Sequence, residues 1–353
     1  MAAFIHFDRI SKAFGAVQVV KDLNLEVKKG EFLSLLGPSG SGKTTILMML
    51  AGFEMPSSGQ ILLDGRRIDQ LPSHKRQMGV VFQDYALFPH LSVSANVAFP
   101  LEMRGLPRPE IAARVSKALD MVRLAHLADR KPAQLSGGQQ QRVALTRALV
   151  FEPAVLLMDE PLGALDKQLR ENMQLEIRDL HRRLGVTVVF VTHDQSEALT
   201  MSDRIAVLNG GVIEQLDSPQ DIYDAPRSRF VAKFIGETNL MEGTIARLNG
   251  TTAETVLSDG TRLVVVPCGN MKVGDRIAIS LRPERIVLNT QATAANALPV
   301  AVADTVYHGD HLRVQLTAGS MNLISKCARQ TANWTAGSAG FACFQPEDCA
   351  VFA

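Results

Sequence analysis

Glu31-Phe32-Leu33-Ser34-Leu35-Leu36-Gly37-Pro38-Ser39-Gly40-Ser41-Gly42-Lys43-Thr44 carries an apolar, strand-like run into a glycine-rich loop, and from Thr44 the chain continues as the helix-like TTILMMLAGF. The loop fits the pattern GxxxxGK[ST] between a strand and a helix. Its glycines let backbone N–H groups turn inward onto phosphate oxygens. The helix start adds the positive end of its dipole. Ser39, Gly40, Ser41 and Gly42 would form the cradle, with Thr45 on the opening helical turn. Lys43 would reach the β- and γ-phosphates, and the Thr44 hydroxyl would bind Mg²⁺. This string reads as nucleotide binding. By itself it does not separate kinases, GTPases, helicases and transporters.

Working outward, two further apolar runs, Ala154–Met158 and Val186–Val191, alternate with helical segments, one of them spanning Leu165–Leu184. Short, nearly continuous apolar strands separated by helices predict a parallel sheet covered on both faces. Arg104–Leu149 reads as mostly helical with Pro and Gly breaks, an inserted helical subdomain of about residues 85–150.

Ala154–Met158 ends in Asp159-Glu160-Pro161. A carboxylate at the C-terminal end of a parallel strand sits in the ligand crevice. Asp159 is the candidate to hold Mg²⁺, and Glu160 the candidate to polarise the attacking water. An acidic pair can simply favour a helix start, but five apolar residues before it and a proline after it favour the catalytic reading. Val186–Val191 ends in Thr192-His193-Asp194. His193 could bond the γ-phosphate and hold the water in place.

Composition narrows the setting. The 353 residues are 46% hydrophobic and 21% charged, with a net charge of +1. That suits about two globular domains, and it gives no global pull toward nucleic acid or anionic membrane. No apolar run reaches the roughly 20 residues a spanning helix needs, and MAAFIHFDRI lacks a secretory pattern. The chain is expected to be soluble. Cys268, Cys327, Cys343 and Cys349 lack CxxC spacing and are expected to be small buried hydrophobes in a reducing cytosol.

Leu135-Ser136-Gly137-Gly138-Gln139-Gln140-Gln141-Arg142 is the most informative string. Ser and Gly at a helix start make a second anion-binding cap. The full string matches the ABC ATPase signature, and the chain resembles ABC transporter ATPases over about residues 4–235. The resemblance implies that Phe14 stacks on adenine beside Val19. It implies that Gln83 senses Mg²⁺ and faces the membrane subunit, that Gly163-Ala164-Leu165-Asp166 is the D-loop, and that His193 is the switch histidine. It further implies two ATPase domains head to tail, each ATP held between the phosphate loop of one and Ser136, Gly137, Gly138 and Gln139 of the other. One motif set per chain makes a homodimer the simplest arrangement.

After about Glu237, short β-rich runs alternate with turns at Asn249-Gly250, Asp259-Gly260 and His308-Gly309-Asp310. Ile279–Leu288 resembles Ala342–Val351, a repeated strand–Pro-Glu–strand unit. The expectation is an α/β P-loop ATPase domain with an inserted helical subdomain (residues 1–237), then a small all-β, OB-like TOBE domain (238–353). This layout, with Arg282-Pro283-Glu284, resembles importer ATPases. Phe234-Ile235-Gly236-Glu237-Thr238-Asn239 is similar to the spermidine/putrescine type. Importers of Fe³⁺, 2-aminoethylphosphonate, sulfate or sugar remain alternatives, as do ABC ATPases of DNA repair or translation. The importer reading implies ATP and Mg²⁺, two permease subunits, an indirectly linked substrate-binding protein and no nucleic acid. It also implies a peripheral place on the cytoplasmic face of the inner membrane.

Overall fold

The computed structural model describes residues 3–163, 165–329 and 334–353. Contacts divide the chain into two units, one up to Gln220 and one from Asp221 to Ala353.

The first unit opens with β1 (Ile5–Phe14), β2 (Val17–Val27), β3 (Phe32–Leu36), α1 (Lys43–Ala51), β4 (Ser58–Leu63), β5 (Arg66–Arg67) and β6 (Met78–Val81). Three helices follow: α2 (Val93–Glu102), α3 (Arg108–Met121) and α4 (Gly137–Leu149). The remainder is β7 (Val155–Asp159), α5 (Lys167–Leu184), β8 (Thr187–Thr192), α6 (Gln195–Met201), β9 (Arg204–Asn209) and β10 (Val212–Asp217). A six-stranded sheet runs β10-β9-β3-β8-β7-β6, parallel except for β10. Strands β3, β7 and β8 are buried at every position, as continuous apolar runs demand.

Alternation along these strands feeds two cores. Leu33, Leu35, Val155, Leu157, Val189 and Val191 face Ile46, Leu47 and Leu50 of α1 and the apolar residues of β1 and β2. Phe32, Leu156, Met158, Val188 and Phe190 face Ala144 and Leu145 of α4 and Met173, Ile177 and Leu180 of α5. Each such side chain taken from water stabilises the fold by about 1.5–3 kcal/mol before entropy is counted. α5 starts at Lys167 rather than Leu165, because Asp166 caps it by accepting from Leu169 N at 2.9 Å. A second sheet, β2-β1-β4-β5, is antiparallel.

Two short helices, α7 (Pro219–Asp224) and α8 (Arg229–Phe234), precede the β-rich strands. The second unit then has β11 (Asn239–Asn249), β12 (Thr252–Leu257), β13 (Arg262–Val265), β14 (Arg276–Leu281) and β15 (Val287–Asn289). It ends with β16 (Asn296–Tyr307), β17 (His311–Ala318), β18 (Met321–Ala328), β19 (Ala339–Phe344) and β20 (Cys349–Phe352). Two five-stranded sheets, β13-β12-β11-β14-β20 and β15-β19-β16-β17-β18, share one apolar core.

The sequence repeat is visible as a crossed pair. β14 and β15 flank a 3-10 turn at Pro283–Arg285, and β19 and β20 flank one at Pro346–Asp348. β14 pairs with β20, and β15 with β19, so each half completes the other's sheets. Residues 223–237 are tied to these strands by Arg282. Its guanidinium donates to the carbonyls of Tyr223, Ala232, Ile235 and Glu237 and lies 4.4 Å from the Tyr223 ring. The motif Arg282-Pro283-Glu284 thus makes a structural hub, with Tyr223 Oη donating to Glu284 at 2.5 Å.

One expectation about the cysteines needs correction. Cys343 and Cys349 are buried, but Cys327 is half-buried and Cys268 is exposed in the turn region after β13. Among the described residues no helix is long and apolar enough to cross a membrane.

Candidate functional site

The parallel strands point their C-terminal ends to one edge of the six-stranded sheet, and the ligand crevice of such a sheet lies there. Gly37 follows β3, Gln83 follows β6, Asp159 ends β7, and His193 follows β8.

The phosphate loop is shaped by close approach. A Cβ on Gly37 would sit 2.4 Å from Leu208 O, and one on Gly42 2.9 Å from Val19 O. Gly40 and Gly42 hold φ of 77° and 99°, a region that favours glycine. Gly42 is the N-cap of α1 and offers no side-chain cap, so the first-turn N–H groups are left for a ligand. Ser39 and Gly40 are exposed and Thr45 half-buried. Ser41 Oγ is buried with no hydrogen-bond partner, an orphan that a phosphate oxygen would satisfy.

Lys43 is buried, and its Nζ donates to Gly37 O and Pro38 O at 2.9 Å each. Burial pushes its ammonium below the ordinary lysine value, while Glu160 and Asp159 oppose that shift. Thr44 Oγ1 donates to Asp159 Oδ1 at 3.1 Å. Burial raises the Asp159 carboxyl, the Thr44 hydrogen bond lowers it, the Glu160 charge raises it and Lys43 lowers it. Gln83 is exposed and lines an open pocket with Phe82, Asp84 and Asp159. One carboxylate, one hydroxyl and one amide oxygen form a hard-oxygen set suited to Mg²⁺, which takes few protein ligands and keeps waters.

Glu160 lies one residue past β7 with φ of 44°, an unusual region for a non-glycine residue. Its N–H donates to Val191 O at 3.0 Å. Its Oε2 lies 3.0 Å from His193 Nδ1. A carboxylate only accepts, so Nδ1 carries the proton and Nε2 is left as the acceptor nitrogen of a largely exposed ring.

Phe14 ends β1 opposite Val17 and is 47% exposed. Lys12 Nζ lies 4.6 Å from the Phe14 ring centroid and pairs with Glu54 at 2.8 Å. The same hairpin carries Val19, whose carbonyl abuts Gly42. Val19 therefore borders the cradle, and Phe14 lies farther along the same hairpin, paired with Val17.

Ser136 caps α4, accepting from Gln139 N at 3.4 Å while Gln139 Oε1 accepts from Ser136 N at 3.0 Å. Gly137 and Gly138 form the first turn. Ala148 lies at the opposite end of α4 from Ser136. α4 packs on β6, and at Gly79 a Cβ would lie 2.3 Å from Ala148 O. β3 and β6 are three strand steps apart, about 14 Å at the usual spacing. Asp166 caps α5. Ala164 of the expected D-loop lies outside the described residues.

Several supporting residues carry no sequence signal. Asn96 is fully buried and bonds the backbone of Phe88, Leu91 and Ser92. Arg147 donates to Tyr85 O and Ala86 O. Together they fix the loop after Gln83. Leu87 packs between two cores, while Phe53 and Met55 are exposed. Arg76 is buried and donates to Met49 O and Leu50 O at the end of α1.

Residues 20–163 match the family model described as ABC transporter, and residues 279–352 the one described as TOBE domain. The spermidine/putrescine import ATP-binding protein PotA of Oleidesulfovibrio alaskensis is 51% identical over 303 residues, 85% of this chain and 81% of that protein. Among solved structures, cbiO1 from Clostridium perfringens, part of an ABC transporter complex, aligns with a TM-score of 0.59 at 31% identity, over 63% of this chain and 91% of that one. A dimeric post-hydrolysis state of the ATP-binding cassette MJ0796 bound to ADP and Pi aligns at 0.54 and 34% identity, over 61% and 98%. A nucleotide cradle, a paired carboxylate and histidine, and a relative half identical over most of both lengths lead to one conclusion: this chain belongs to the family of ABC transporter ATP-binding proteins and is an ATPase.

Proposed function

We propose that the chain is the ATP-hydrolysing subunit of a polyamine importer, acting as a dimer beneath two membrane permeases that receive substrate from a binding protein. The observation that carries the substrate class is the 51% identity to a relative named for spermidine/putrescine import. Importers of Fe³⁺, 2-aminoethylphosphonate, sulfate or sugar are the competing outcomes. A place on the cytoplasmic face of the membrane follows from that partnership.

In this reading the phosphate loop and Lys43 bind the triphosphate of ATP, and Phe14 with Val19 holds the adenine. Thr44, Asp159 and Gln83 hold Mg²⁺, which would screen phosphate charge when bound. Glu160 accepts the proton of the attacking water, and His193 orients Glu160 through Nδ1 and turns Nε2 to the γ-phosphate. One set of these motifs per chain supports a site closed by a second copy. The dimeric, ADP-bound neighbour supports the same arrangement. Ser136, Gly137, Gly138 and Gln139 then cap the partner's ATP, with Asp166 at the same interface. ATP closes the dimer and hydrolysis reopens it.

The test is the full importer in proteoliposomes. Spermidine- or putrescine-loaded binding protein should stimulate ATP hydrolysis and accumulate polyamine. Stimulation by iron, sulfate, phosphonate or sugar instead would reject the substrate class while leaving the motor.

A further inference from the structure

The glycines that open α4 are packed against the start of α5. A Cβ on Gly138 would lie 3.1 Å from both methyls of Leu169, and one on Gly137 3.4 Å from a methyl of Leu165. Arg170, next to Leu169, reaches the other way. Its Nη2 donates to Leu165 O at 3.0 Å and its Nη1 to Asp194 Oδ2 at 3.2 Å. Its Nε is 3.9 Å from Glu197 Oε1 and is buried with no hydrogen-bond partner.

The far side of this contact is firmly held. Asp194 Oδ1 accepts from Ser196 N and Glu197 N and so caps α6. Thr192 Oγ1 donates to Glu197 Oε2 at 2.5 Å and accepts from Asp194 N at 2.9 Å. His193 is the residue between Thr192 and Asp194, and its ring meets Glu160. A single guanidinium therefore joins the segment under Gly137 and Gly138 to the turn that carries His193.

We infer that Arg170 is a positioning residue that couples the Ser136–Gln139 loop of a chain to the His193–Glu160 pair of the same chain. The inference rests on the proposed function, in which that loop caps the partner's ATP and that pair serves the chain's own. Nucleotide pressing on Gly137 and Gly138 is transmitted through Leu165 and Leu169, which seat Arg170. The planar fork holds Leu165 O and Asp194 in a fixed relative geometry that a flexible lysine ammonium does not impose. The unpaired Nε marks a second arrangement within reach. Closing its 3.9 Å gap to Glu197 to an ordinary hydrogen bond of about 2.9 Å would shift α6 against α5 and carry the His193 turn with it. Occupancy of one ATP site is in this way read at the other.

The test measures kcat, KM and the Hill coefficient for ATP in the assembled importer, for the parent, Arg170→Lys and Arg170→Met. Expected are a parent Hill coefficient above one, a KM within about twofold in both variants, a kcat lowered about tenfold or more, and a Hill coefficient falling to one. Recovery by Arg170→Lys, an unchanged Hill coefficient, or a non-cooperative parent would overturn the inference. Leu169→Ala, which opens space above Gly138 without touching the fork, should also lower the Hill coefficient and guards against a misfolded Arg170 variant. Glu160→Gln separates the two levels. Normal turnover in Glu160→Gln rejects the proposed site, whereas a dead Glu160→Gln with a normal Arg170→Lys rejects the coupling alone.

Discussion

His193 Nδ1 and Glu160 Oε2 lie 3.0 Å apart, with Glu160 at a φ of 44°. Holding a non-glycine residue there costs about 1–3 kcal/mol, and such strain gathers at functional sites. The turn brings the carboxylate to His193, just past the end of β8. Glu160→Gln keeps the shape and removes the base. It should lower kcat by at least about 100-fold while ATP still binds. His193→Ala leaves the base but frees it to rotate, so its loss should be smaller. Single-turnover hydrolysis with labelled ATP, alongside equilibrium binding, checks both. A larger loss from His193→Ala than from Glu160→Gln would reverse their roles.

Asp159 gives a pH signature. Burial raises its carboxyl above the ordinary value, with Glu160 adding and Thr44 and Lys43 opposing. The folded chain then holds this proton more tightly than the unfolded chain. Unfolding free energy falls as pH rises through that interval, and at neutral pH the ionised group costs stability. Asp159→Asn should therefore melt at or above the parent temperature in magnesium-free neutral buffer. The advantage should vanish on acidification, and magnesium-dependent turnover should be lost. Thermal melts across pH decide it, and a variant less stable only at neutral pH would contradict the sign.

Gly79 on β6 leaves no room for a side chain under Ala148 of α4, since an added Cβ would meet the carbonyl at 2.3 Å. Backbone cannot swing aside as a side chain can. Gly79→Ala should cost about 1–3 kcal/mol as an overpacking change. A lowered denaturant midpoint with unchanged slope is the expected result, and an unshifted midpoint would show that α4 yields freely.

Strands β3, β7 and β8 were legible in the sequence because burial on both faces writes a continuous apolar run. β1 was not, because only Ile5, Phe7 and Ile10 are buried and its pairing with β2 is broken by register shifts. Lys43, Asp159, Glu160 and His193 could be placed because each follows a readable strand. Arg76 and Arg147 could not, because they act through backbone carbonyls, which every residue possesses, and Arg170 could not, because its partner Asp194 stands on a different element and no spacing links the two. The repeat at Pro283 and Pro346 was readable, but its crossed pairing of β14 with β20 and β15 with β19 was not. Spacing records similarity and says nothing of which strand pairs with which.

Arg282 anchors four carbonyls between Tyr223 and Glu237 while being 6% exposed. Burial lowers its guanidinium, and Tyr223, Glu284 and Asp224 oppose that shift. Arg282→Met keeps the stem but strands those acceptors, at a cost of about 2–5 kcal/mol. Trp334, the chain's single tryptophan, packs on the core of the second unit and reports its unfolding by fluorescence. The tryptophan transition should move to lower denaturant. An unmoved transition would mean that residues 223–237 are held by other contacts.

Phe14 offers a 47% exposed ring, with the Lys12 ammonium 4.6 Å from its centroid. An aromatic left this open and braced by a cation is suited to stacking a base. Stacking of a base on an aromatic is worth about 1–3 kcal/mol, and it acts equally on bound ATP and on the transition state. Phe14→Ala should therefore raise KM for ATP by about tenfold with kcat nearly unchanged, the pattern of lost uniform binding. Phe14→Trp should restore KM, and inorganic tripolyphosphate, which has no base, should bind parent and Phe14→Ala alike. A fall in kcat with KM intact would place Phe14 in the conformational cycle instead of the adenine contact.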